Sequence, residues 1–169
     1  ISFNSYNYPA LAKAGVHIKY FRNYIHYPTQ GSALKVRTKV DRNVAILKLF
    51  PGITPHTVNA ILNIPGLQAV VLETFGAGNA PRQFWFYDAL KKATDKGILI
   101  VNKSQCGTGT VEMGRYETSL NLMSAGVMSG YDITTEAIVT KLMYLLGECA
   151  NLQEVKRKLS ISLCGEMTM

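Results

Sequence analysis

From residue 43 onward the chain alternates short apolar runs with stretches of helical period. Residues 44–49 (Val-Ala-Ile-Leu-Lys-Leu), 67–72 and 98–101 are apolar runs bounded by turn residues. Runs of that length predict strands covered on both faces. Between the first two, Thr54 precedes Pro55, the pairing of a helix cap with a proline at the first helical position. Val58, Ile61 and Leu62 then fall on one helical face, and Pro65-Gly66 ends it. A glycine-rich loop, Gly76-Ala77-Gly78-Asn79-Ala80-Pro81, follows the second run. Residues 83–96 predict a helix closed by Gly97. Further helices are expected over 117–125, over 136–146 after a cap at Thr134-Thr135-Glu136, and over 153–159, with a glycine-rich break at 126–130. Strands separated by helices of this length imply parallel βαβ units. The expected fold is therefore α/β: an open, mainly parallel sheet flanked by helices, Rossmann-like or flavodoxin-like.

Residues 1–42 read differently. Five tyrosines (Tyr6, Tyr8, Tyr20, Tyr24, Tyr27) crowd the first 28 positions. Residues 16–20 alternate at period two and predict a short half-buried strand. A turn is expected at 27–32 and a second, exposed strand over 34–40. The division that follows is a connector or interface segment at 1–42 and an α/β domain at 43–169.

Composition narrows the class. With 169 residues, 47% hydrophobic and 17% charged, the chain is suited to a self-standing core and not to disorder. Its apolar runs fall far short of the ~20 residues that cross a bilayer. The first residues show no basic-then-apolar leader pattern. Eighteen Lys+Arg against eleven Asp+Glu give a net charge of +7. The basic residues are dispersed, singly or in pairs apart from Lys156-Arg157-Lys158, so no nucleic-acid partner is expected. Cys106, Cys149 and Cys164 are odd in number and widely spaced. That argues against a disulfide framework or a metal site and for a reducing, cytoplasmic setting.

Ligands of open α/β sheets bind beyond the carboxyl ends of the strands. Three segments fall there: 50–54, 74–81 and 103–116. The loop holding Asn79 lacks the third glycine of a dinucleotide fingerprint and the Gly-Lys-Ser/Thr ending of a phosphate loop, and it could equally be a tight strand-to-helix turn. Ser104 and Thr108 have no histidine near them in sequence; His17, His26 and His56 all lie in the first third. Cys106 has Lys103 close by, a setting that favours a thiolate, although a small, partly buried side chain is the plainer reading. No cofactor or metal is implied.

The order of these loops resembles L-asparaginases of the bacterial type I kind. Residues 75–81 (Phe-Gly-Ala-Gly-Asn-Ala-Pro) are similar to that family's GxGNAP loop. Ser104-Gln105-Cys106, Gly109-Thr110-Val111 and Tyr116 resemble its second loop, and 129–137 with Lys141-Leu142 the helix after it. Cys164-Gly165-Glu166-Met167-Thr168 resembles the family's Arg-Gly-Glu-Leu/Met-Thr ending, with a cysteine in the arginine's place. The Thr-Gly-Gly-Thr-Ile-Gly and His-Gly-Thr-Asp-Thr motifs of the catalytic amino-terminal domain are not in this sequence. The resemblance thus implies the smaller carboxyl-terminal domain of an enzyme hydrolysing L-asparagine to L-aspartate and ammonia, inactive by itself and working as a homodimer or homotetramer. It implies substrate contacts for Asn79, to the α-amino or carboxylate group, and for Tyr116. It also implies an allosteric region at Glu73 and Cys106, where the arginine of allosteric relatives is replaced by Glu73. Two alternatives remain at this stage: an asparaginase-like subunit of a tRNA-dependent amidotransferase, and a non-catalytic α/β ligand-binding or regulatory module.

Overall fold

The computed structural model describes residues 8–27, 31, 33–114 and 117–168. Its centre is a sheet of four parallel strands in the order β3-β4-β5-β6: Val44–Lys48, Ala69–Thr74, Leu99–Ser104 and Met128–Ser129. A small antiparallel pair, β1 (Ala12–Lys13) with β2 (Lys19–Tyr20), precedes it. The helices are α1 (Pro55–Leu62), α2 (Phe84–Asp95), α3 (Glu117–Ser124), α4 (Thr135–Glu148) and α5 (Leu152–Leu159).

Strand order follows chain order without a reversal. Right-handed crossovers then deliver α1, α2 and α3 to the same side of the sheet. The packing agrees: Val58, Leu62, Phe86, Leu90 and Leu122 form one cluster with Leu47, Val70, Leu72 and Ile100. The opposite face, through Ala69, Val71, Leu99 and Val101, is covered by Ile138, Leu142 and Leu145 of α4 and Val155 and Leu159 of α5. Because β4 and β5 are covered from both sides, all their residues are buried. Helix entries carry the expected caps. Thr54 Oγ1 accepts from the Thr57 amide and Thr134 Oγ1 from the Ala137 amide, each cap contributing about 1 kcal/mol.

Three expectations need correction. The run at 44–49 is not covered on both faces: β3 is an edge strand and Ile46 is 45% exposed. Residues 16–20 do not form a half-buried strand; only Lys19–Tyr20 pair, and Val16 is 97% exposed. Residues 34–40 form no strand, since no neighbouring strand offers a ladder to pair with. That stretch instead runs to α4, where the Asp41 amide donates to the Met143 carbonyl at 2.9 Å. β6, inside the glycine-rich break, is an element that periodicity missed because it has only two residues.

The last residues are fastened by side chains. Lys141 Nζ lies 2.6 Å from Glu166 Oε1 and donates to the carbonyls of Leu159 (3.2 Å) and Ile161 (2.6 Å). Burial works to raise the Glu166 carboxyl, but the Lys141 ammonium and the backbone N–H groups of Cys164 and Leu163 outweigh it and hold it at about 2. Among the described residues no helix is long and apolar enough to cross a membrane. No group of three or more His, Cys, Asp and Glu among them is placed to hold a metal ion.

Candidate functional site

The glycine-rich loop is a tight excursion at the carboxyl end of β4. Phe75 and Asn79 exchange backbone bonds of 2.9 and 2.8 Å across its neck. Gly78 has φ +106, and a Cβ there would stand 3.0 Å from Val111 Cγ1 and 3.1 Å from Asn102 Nδ2. Only glycine suits that combination of dihedral and close approach.

Polar residues of β5 hold the loop from beneath. Asn102 and Ser104 point to the side of α1–α3, as does Thr74. Thr74 Oγ1 donates to Asn102 Oδ1 at 2.6 Å, and Asn102 Nδ2 donates to the Gly78 carbonyl at 3.3 Å. Ser104 Oγ donates to the Gly76 carbonyl at 2.5 Å and accepts from the Cys106 amide at 3.0 Å. All three side chains belong to residues that are fully buried. A satisfied buried network of this kind fixes loop geometry, because moving any member strands another.

Asn79 is thereby set at the mouth of a crevice of about 360 Å³ lined by Asn79, Ala80, Arg82, Glu117 and Thr118. Thr118, in the first turn of α3, donates its hydroxyl to Asn79 Oδ1 at 2.9 Å. The carboxamide oxygen is engaged, and the Nδ2 group is the part of the side chain available as donor. Arg82 and Glu117 put a cation and an anion on the same crevice.

Glu73 lies elsewhere. It faces the α4 side of the sheet, in register with Lys48 on β3 and Lys103 on β5. Thr135 Oγ1 donates to Glu73 Oε1 at 2.5 Å, and Lys48 Nζ stands 3.5 Å from Oε2. Its carboxylate thus sits beneath the amino-terminal end of α4, where the helix dipole favours negative charge. Cys106 is exposed, just past Gln105, whose Nε2 donates to the carbonyls of Leu49 (2.6 Å) and Glu73 (2.9 Å). Cys106, Glu73 and Asn79 all lie toward the carboxyl end of the sheet, but Glu73 meets Thr135 of α4 on one face while Asn79 meets Thr118 of α3 on the other. Tyr116 lies outside the described residues. Sequence patterning gave Asn102, Ser104 and Thr118 no part in holding the loop; the available signal was polar residues ending an otherwise apolar strand.

Comparison with known proteins follows the same outline. The family model described as the Glutaminase/Asparaginase C-terminal domain matches residues 43–159. L-asparaginase 1 of Escherichia coli is 37% identical over 167 residues, covering 99% of this chain and 49% of that protein. The 60 kDa lysophospholipase of Mus musculus is 36% identical over 169 residues, covering 99% of this chain and 30% of that protein. The crystal structure of L-asparaginase I from Vibrio cholerae superposes with a TM-score of 0.90 at 37% identity, over 98% of this chain and 50% of that one. The chain therefore spans half or less of the relatives it matches. With the parallel sheet, the anchored Gly76–Asn79 loop and the family model over most of its length in agreement, the chain belongs to the glutaminase/asparaginase family and represents its carboxyl-terminal domain.

Proposed function

We propose that this chain is the substrate-positioning half of a cytoplasmic L-asparaginase, which hydrolyses L-asparagine to L-aspartate and ammonia as a homodimer or homotetramer. Amide hydrolysis by a nucleophilic hydroxyl requires an activating base and donors aimed at the developing oxyanion. Among the described residues, the hydroxyls of Thr74, Ser104 and Thr118 are committed to structural hydrogen bonds. The division of labour that follows gives the nucleophile to the other half of the protein and orientation of the substrate to this one. Asn79 supplies a hydrogen-bond donor at the crevice, and the family resemblance gives Tyr116 a second substrate contact.

The observation that carries this reading is the Asn79 loop: a family motif whose backbone is tied down by Thr74, Asn102 and Ser104 and whose side chain opens onto a polar crevice. The scattered basic residues argue against the amidotransferase alternative, which needs a continuous surface for tRNA. The test is ammonia release from L-asparagine. The full-length protein is expected to release it and the 169-residue chain alone is not. In the full-length protein, Asn79→Ala lowers kcat/KM about 10- to 150-fold, the loss of a hydrogen bond to a charged group, with the fold intact. Unchanged kinetics for Asn79→Ala would remove that residue from the site.

A further inference from the structure

A carboxamide presents two opposite faces, and which one meets a ligand depends on what holds the other. Asn79 Oδ1 is held by the Thr118 hydroxyl at 2.9 Å. Thr118 is 8% exposed and rides on α3, thirty-nine residues further along the chain, so it approaches Asn79 from a separate element. Thr118 is placed by α3 itself. The next residue, Ser119, is 1% exposed, and its Oγ accepts from the Gly114 amide at 3.1 Å, pinning the start of the helix to the loop before it.

We propose that Thr118 is a positioning residue: by holding Asn79 Oδ1 it turns the Asn79 Nδ2 donor toward the substrate, so that Asn79 reads a carboxylate and not an ammonium group. The inference rests on the reading of Asn79 as substrate-facing. The physical logic is directional. With Oδ1 engaged, the outward group carries two N–H donors and no acceptor. A rotated carboxamide would direct its oxygen at the substrate carboxylate, exchanging an attraction for a repulsion. Among the described residues no other hydrogen bond fixes the rotation of the Asn79 side chain, since its backbone bonds to Phe75 leave the last dihedral free. An asparagine amide rotor of this kind is broad and nearly two-fold, so a partner is needed to choose its orientation.

The test uses the full-length protein with L-asparagine as substrate. Thr118→Val keeps the shape and removes the hydroxyl; Thr118→Ser keeps the hydroxyl. Thr118→Val is expected to raise KM about tenfold, the scale of one net hydrogen bond, with kcat within about twofold and Thr118→Ser close to the parent. Because Thr118 acts through Asn79, Thr118→Val has no further effect in an Asn79→Ala background. A structural role alone would add its cost in either background. Thr118→Val kinetics equal to the parent, a Thr118→Ser protein as impaired as Thr118→Val, or an additive double variant would each overturn the proposal. If Asn79→Ala itself changes nothing, the reading of the site fails and this inference with it. If Asn79→Ala is impaired and Thr118→Val is not, only the role of Thr118 falls.

Discussion

Replacing Lys141 by methionine isolates the fastening of the chain's last residues. The Lys141 and Glu166 side chains are 4% and 9% exposed, so solvent screens their 2.6 Å contact poorly. Methionine fills similar space but leaves the Glu166 carboxylate with neutral donors, the Ser162 hydroxyl, the Cys164 thiol and the amides of Leu163 and Cys164. It also strips the carbonyls of Leu159 and Ile161 of their ammonium donor. Removing one member of a buried ion pair costs about 3–5 kcal/mol, much of it from stranding the other charge. For a chain of this size each kcal/mol lowers Tm by roughly 2–4 °C, so a fall of about 6–20 °C is expected. Glu166→Gln added to Lys141→Met removes the stranded charge and recovers part of the loss. The pH dependence carries the sign. The Glu166 carboxyl is held at about 2 in the fold against an ordinary 4.5. Its contribution is therefore complete above about 4.5 and is lost as pH falls from there through about 2. Urea unfolding measured from pH 7 down to pH 3 reads both effects, with Glu166→Gln lacking that part of the acid-side loss. A Lys141→Met protein within about 1 kcal/mol of the parent at pH 7 would refute the reasoning, because even the low end of a broken buried pair exceeds it.

Two further outcomes are expected. Gly78→Ala meets both a φ of +106 and side-chain contacts of 3.0 and 3.1 Å, so instead of the small stabilisation of an unstrained glycine replacement it destabilises by more than ~1 kcal/mol; a Tm unchanged on calorimetry would contradict the loop geometry. Asparagine saturation of the full-length protein is expected to be hyperbolic, because Glu73 is a carboxylate already engaged by Thr135 and Lys48 and so offers an effector's carboxylate no partner; a Hill coefficient clearly above one would overturn that expectation.

The features that could be read from the sequence are those set by neighbours along the chain. The apolar runs that seed β4 and β5, the Thr54-Pro55 entry and the Gly97 stop are local chemistry and appear in the structure, although the two strands run past the apolar residues to Thr74 and Ser104. What escaped depends on partners far away in sequence. Ile46 and Leu72 belong to equally apolar runs, but only the first lies on an edge strand that α4 and α5 leave partly uncovered. The exposed apolar residues at 34–40 alternate like a strand, yet alternation cannot supply the neighbour that a strand requires. The loop motif marked Asn79, while the side chains that aim and anchor it come from positions 74, 102, 104 and 118. Polar residues ending an apolar strand gave a hint of the anchors. Thr118, in a mixed helix start, gave none.

The crossing of residues 37–41 over the end of α4 bears on how the first part of the chain is carried. A Cβ on Gly147 would fall 2.6 Å from the Lys39 carbonyl oxygen and 2.8 Å from Val40 Cα, so backbone rests on backbone there. Arg37 pairs with Glu148 at 2.5 Å on one side of that crossing, and the Asp41 amide bonds to Met143 on the other. The crossing acts as a clamp with the glycine as its seat. Any pivot between the sheet domain and what precedes it must then lie on the amino-terminal side of Arg37, and a larger side chain at 147 would move that pivot toward the domain by prising the clamp open.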